Sequence, residues 1–137
     1  MRIHLGGSSR QSLVAARAKL DAAVKGATAD SAAKLSSELF LAAEVLASNV
    51  PLRRAFADMS RDAASKGTLV KDLFGKTLGS AALTVLTDVA TLRWSAGGDI
   101  VYVLEQLAIE AEGSAANING ELDRVEDELF EISRVIA

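Results

Sequence analysis

The residues able to do chemistry are few: one histidine, no cysteine, and eighteen carboxylates in a chain of 137 residues. His4 stands near the start with no second nitrogen or sulfur ligand beside it, so it is not expected to hold a metal. The densest acidic group is Asp123, Glu126, Asp127, Glu128 and Glu131. A hard cation needs several oxygens converging on one point, whereas carboxylates strung along a helix at these intervals make a solvated acidic face. Gly97-Gly98-Asp99 lacks the spacing of a phosphate-binding loop and reads as a helix start. Arg53 and Arg54 lie off the apolar side of their segment and are expected to be solvated rather than to bind phosphate. No histidine pair and no nucleophile beside a base is found, so neither enzymatic activity nor a metal or cofactor is expected.

Composition narrows the remaining classes. Half the residues are apolar and only 4% are aromatic, so the core must be built from alanine and aliphatic side chains, which favour helices and their close approach. One domain with an appendage fits the length. A net charge of −3 and a pI near 5.2 leave no basic field to attract nucleic acid. A helix-turn-helix around Ser60 to Gly75 would lack a basic recognition helix. The absence of cysteine removes disulfides and thiolate zinc sites and suits a reducing compartment. No apolar run approaches the roughly 20 residues that span a bilayer, and Met1 to Arg10 carries no secretory apolar region. A soluble intracellular chain is the expectation.

An all-α architecture follows from the periodicity. Residues 1–8 are expected as a flexible lead-in. Helix one carries Leu13, Ala16, Leu20 and Val24 and stops at Gly26. Beside that stripe, Ser12, Ala15, Lys19 and Ala22 form a small-residue face able to accept another helix. Helix two starts at Asp30 or Ser31, carries Leu35, Leu39, Ala43 and Leu46, and ends at Ser48-Asn49. A short third helix follows Pro51, with Leu52, Ala55 and Phe56 as its apolar side. Helix four is capped by Ser60, bends or splits at Gly67 and closes at Gly75. Helix five runs from Gly79 or Ser80 to Trp94 and is apolar on nearly every side, so it is either wholly buried or keeps a face for a partner. Helix six opens at Asp99 with Ile100, Val103, Leu104, Leu107 and Ala111. After Gly113 the polar stretch through Asn119-Gly120 predicts a break, and a last amphipathic helix takes up Leu122, Val125, Leu129, Ile132 and Ile136. The division expected is a bundle domain over 9–116 and a further helix over 117–137.

That last helix echoes helix two. Glu38-Leu39-Phe40 and Val45-Leu46-Ala47 recur as Glu128-Leu129-Phe130 and Val135-Ile136-Ala137, at a constant offset of 90 residues. The pattern predicts the first helix of a second, truncated repeat unit. Its apolar stripe would pack on the first unit, project, or self-associate with another copy through residues 117–137.

Leu52-Arg53-Arg54-Ala55-Phe56-Ala57-Asp58, Leu73-Phe74-Gly75-Lys76, Arg93-Trp94-Ser95 and Leu104-Glu105-Gln106-Leu107 occur in this order after Ser9-Arg10-Gln11-Ser12 and Leu39-Phe40. The ordered set resembles the delta subunit of bacterial F-type ATP synthases, in particular a longer, actinobacterial-type form with a duplicated N-terminal unit. The resemblance covers Ser9 to Ala137. It implies a six-helix bundle whose first and fifth helices form a groove for the N-terminal helix of an alpha subunit. Carried over by position, the groove residues are Ser12, Ala15, Ala16 and Lys19 with Ala82, Val85, Leu86 and Val89. The implied role is a non-catalytic stator in the peripheral stalk, resisting rotor torque during ATP synthesis coupled to proton transport. It implies a place at the cytoplasmic face of the cell membrane without insertion into it. The family's C-terminal part, which engages the b subunit, has no counterpart in the chain. Without the resemblance, the residues describe a stand-alone helical adaptor or dimerisation module that binds a partner helix.

Overall fold

The structure is a computed structural model that describes residues 5–136 in backbone and residues 5–132 in side chain. His4 and the repeat segment Val135-Ile136-Ala137 thus lie outside the described side chains. Among the described residues there are six α-helices and no strands. They are α1 (Gly7–Val24), α2 (Ala29–Ser48), α3 (Val50–Ala57), α4 (Ala63–Phe74), α5 (Ser80–Ala90) and α6 (Gly97–Ile136).

The ends of these helices follow local chemistry. Gly26 takes a φ of 75°, the left-handed conformation that lets the chain leave α1 without a Cβ clash. Thr28 caps α2 by accepting from the Ser31 N–H at 3.1 Å, while the Ser31 hydroxyl accepts from the Thr28 N–H at 3.0 Å. The start is therefore slightly earlier than expected, since Thr28 and Ser31 satisfy each other's backbone donors. Asn49 both follows α2 and caps α3 through Leu52 N–H, with Pro51 in the first turn.

Helix α4 is capped by Asp62, whose carboxylate accepts from the Ser65 N–H at 2.7 Å. Ser60 was the expected cap, but its hydroxyl donates to Asp58 at 2.6 Å instead. Gly67 does not break α4, because the helix runs unbroken from Ala63 to Phe74. Helix α5 ends at Ala90 rather than Trp94. The indole of Trp94 folds back and donates from Nε1 to the Val89 carbonyl at 3.0 Å, stopping the helix while staying buried.

The principal pairing is α2 against α6. Ala32, Leu35, Leu39, Ala42, Ala43 and Leu46 on α2 face Ile100, Leu104, Leu107, Ala108 and Ala111 on α6, all buried. Alanine at so many contact positions lets the axes approach closely, and Ser36 then reaches across to donate to the Ala108 carbonyl at 2.7 Å. Helices α1 and α3 pack on α6, while α5 packs on α1, α2 and α4.

The expected break after Gly113 does not occur. Helix α6 is continuous for 40 residues, about 60 Å, through Gly113 and Gly120. Neither glycine has a neighbour that an added Cβ would meet, and no proline interrupts the segment. Two exposed glycines cost roughly 1 kcal/mol each relative to alanine. The intervening Ala115, which is buried, and the half-buried Ile118 keep the helix anchored across that stretch. The expected sixth and last helices are thus one element.

Lys66 is buried near Asp58, on the inner side of α4. Burial lowers its pKa, with Asp58 pulling the other way. The folded state then gives up this proton before the unfolded chain does, so stability rises with pH across the interval up to the ordinary lysine value. Lys66→Met is expected to abolish that alkaline rise in urea melts taken at stepped pH. Asp58 also makes stability rise with pH, but in the acid range. The Ser60 hydroxyl and N–H hold its pKa below the ordinary carboxylate value, so its contribution is present above that value and is lost as pH falls through the lowered one.

Candidate functional site

The region where α1, α5 and the turn before α6 meet is held by a small polar clasp. Ser9, in the first turn of α1, donates from Oγ to Asp99 Oδ2 at 2.6 Å and accepts from the Ser95 N–H at 2.7 Å. One turn on, the Ser12 hydroxyl donates to the Arg93 carbonyl. Asp99 occupies the first turn of α6, where a negative charge also meets the exposed N–H groups of the helix start. Gly6 is required here, because a Cβ would overlap the Ser95 side chain. Ser9, Ser12 and Asp99 are all buried, and among described side chains no buried polar atom lacks a partner. Two turns further along α1, Arg17 pairs with Glu110 of α6 at 2.7 Å, an exposed pair of small energetic weight.

This clasp widens the expected inner face of α1, whose Leu13 and Val24 pack against the core beside it. Ser9, Ser12, Ala16 and Leu20 form the buried stripe, while Leu13 and Val24 are half-buried. Serines appear on the inner face because their hydroxyls find a carboxylate and a carbonyl there, which the spacing of α1 alone does not reveal.

The eight residues expected to line a groove divide into two groups. Ser12, Ala16, Ala82, Val85, Leu86 and Val89 are buried, and the five apolar ones belong to the bundle's own core. Ala15 is half-buried and Lys19 exposed. Helices α1 and α5 pack on each other, and α5 also packs on α2 and α4; of the set only Ala15 and Lys19 are not buried. An open apolar hollow of about 320 Å³ does adjoin α5, but on its α4 side. Gly67, Val70 and Leu83 line it together with Thr84, Thr87 and Asp88.

Arg53 also departs from its expected solvated setting. It is half-buried, and its Nη1 donates to the Leu46 carbonyl at 3.1 Å and the Ala47 carbonyl at 3.0 Å, capping the end of α2. Arg54 is exposed as expected. Nothing in this region converges as catalytic groups would, and among the described residues no cluster of three or more potential metal ligands exists.

Comparison with known sequences gives the relationship. The chain is 38% identical over 132 residues to the ATP synthase subunit delta of Streptomyces griseus subsp. griseus, covering 96% of the chain and 48% of the relative. It is 38% identical over 131 residues to the ATP synthase subunits delta of Streptomyces coelicolor and of Kineococcus radiotolerans, covering 96% of the chain and 47% of each relative. The chain is a homologue of ATP synthase delta subunits. It spans about half the length of these delta subunits. No family model matches it. The homology extends over the clasp, the α1–α5 contact and the paired helices α2 and α6, since it takes in nearly the whole chain. No helix among the described residues is long and apolar enough to cross a membrane.

Proposed function

We propose that the chain acts as a non-catalytic portion of the peripheral stalk of an F-type ATP synthase, receiving the N-terminal helix of an alpha subunit along its α1–α5 shoulder. The observation that carries this reading is the 35–38% identity to ATP synthase delta subunits over about 96% of the chain. An all-helical bundle supports it, because a stator works by rigid packing and slow release rather than by making bonds. In this role the chain resists rotor torque during ATP synthesis coupled to proton transport. It sits peripherally at the cytoplasmic face of the cell membrane.

Burial decides how the eight groove residues contribute. Exposing a buried valine or leucine costs about 1.5–3 kcal/mol per side chain, so separating α1 from α5 to admit a foreign helix is unfavourable. The bundle therefore binds closed. Ala15 and Lys19 touch the alpha helix, while Ser12, Ala16, Ala82, Val85, Leu86 and Val89 fix the spacing of the two helices beneath it.

The test is calorimetric titration of the chain with a peptide of the cognate alpha subunit's N-terminal helix. Ala15→Glu places a charge and added bulk on the shoulder and is expected to weaken binding at least tenfold with unchanged helix content. Equal affinity for variant and parent would remove α1 from the site.

A further inference from the structure

The apolar attachment of α1 to the bundle is slight. Its inner face buries two apolar side chains completely, Ala16 and Leu20, with Leu13, Ala23 and Val24 half-buried beside them, whereas α2 buries six. The first turns of α1 are held by hydroxyls instead, Ser9 on Asp99 and the Ser95 N–H, and Ser12 on the Arg93 carbonyl. Water replaces each of these partners when α1 leaves, so the clasp parts at the net cost of a few hydrogen bonds. At the other end the chain turns through Gly26, where an added Cβ would meet nothing within 4 Å. That turn is an unpacked joint. Nor is α1 supported from within, since it has no side-chain cap, no acid in its first turn and no base in its last. Such a helix draws its stability from docking and melts when it leaves the bundle.

We infer that α1 is a strap, latched by the Ser9–Asp99 clasp and hinged at Gly26, that opens and melts while α2 and α6 stay folded. The open form is a minor state of the free chain. Ala15 and Lys19 ride on the strap, so a helix that bears on them binds only the closed form and holds the strap shut. That coupling rests on the alpha-helix reading above, whereas the strap itself does not.

The test is native-state amide exchange of the full chain at stepped low urea, read by nuclear magnetic resonance. The amides of Ala16 to Leu20 are expected to be at least tenfold less protected than those of Leu39 and Leu104, and nearly insensitive to urea, because their opening exposes little surface. Val70→Ala weakens the core away from the strap. It is expected to lower protection at Leu39 and Leu104 at least threefold and to leave Ala16 to Leu20 unchanged, since strap opening does not disturb α4. Ser9→Ala is expected to lower protection of Ala16 to Leu20 at least fivefold. Gly6→Ala, whose Cβ would overlap the Ser95 side chain, is expected to do the same without removing a hydroxyl, which keeps the test decisive if Ser9→Ala unsettles the bundle. Equal protection and urea dependence in all three helices, an equal response to Val70→Ala, or strap amides unmoved by both latch variants would overturn the inference. With the alpha-subunit peptide at about a hundred times its Kd, protection of Ala16 to Leu20 is expected to rise about a hundredfold. Calorimetric binding without that rise would overturn the coupling. Absence of binding would instead remove the alpha-helix reading, and exchange in the free chain alone decides the strap.

Discussion

Phe56→Ala is expected to lower the unfolding free energy by about 3–5 kcal/mol, the range for removing a fully buried aromatic side chain. Phe56 is the only buried residue of the eight-residue α3, so it is the anchor by which that helix joins the bundle. Its ring meets Phe74 of α4 edge to face, with centroids 6.4 Å apart and an interplanar angle of 84°. The loss therefore combines transfer of the ring, a cavity and the α3–α4 link. Urea denaturation followed by circular dichroism measures it, and a double-mutant cycle with Phe74→Ala should show a coupling of about 0.5–1.5 kcal/mol. A loss below about 1 kcal/mol would mean that α3 contributes nothing to the cooperative core.

The second large effect lies at the polar clasp. Asp99→Ala removes the acceptor of the Ser9 hydroxyl and the negative charge in the first turn of α6. A hydrogen bond to a charged group contributes about 1.5–3 kcal/mol and a helix-start carboxylate about 0.3–1 kcal/mol, so a loss of about 2–4 kcal/mol is expected. The effect should also be local. Amide exchange over the first turns of α1 should accelerate more than exchange in α2, because Ser9 and Ser12 are the residues tied to the turn before α6. Affinity for the alpha peptide should fall along with the docking of α1. Uniform acceleration throughout the bundle would show instead that Asp99 supports global stability alone.

Most of the helical pattern was legible from periodicity and caps, and the departures have specific causes. Asn49 and Pro51 announce the start of α3, and Gly26 the end of α1, because each residue supplies something the backbone needs at that point. Helix α1 was read with Leu13, Ala16, Leu20 and Val24 inward, and these do meet the core, but Ser9 and Ser12 are buried as well. Their partners, Asp99 and the Arg93 carbonyl, are more than 80 residues away, so the burial of these serines is set by tertiary contact. The split of α6 at Gly113 and Asn119-Gly120 followed turn chemistry. The heptad phase that runs from Leu104 to Ile132 outweighs it, and that phase was also present in the sequence.

The expected groove residues show the same limit. Small and aliphatic residues on α1 and α5 say that two helices can approach there, but not whether the approaching helix is foreign or native. In the folded chain six of the eight are buried, five of them in the bundle's own core, with Ala15 half-buried and Lys19 exposed. Arg53 was legible only as a charge. Its capping of α2 depends on the tight turn at Asn49, which brings its guanidinium within reach of the Leu46 and Ala47 carbonyls.

The most direct measurement of the stator reading is native mass spectrometry of the chain mixed with the purified catalytic head of the cognate ATP synthase, intact and with the N-terminal helix of its alpha subunits removed. The expected result is a complex with the intact head that disappears when those helices are absent. No complex with the intact head, or an equally abundant complex with the truncated one, would contradict it.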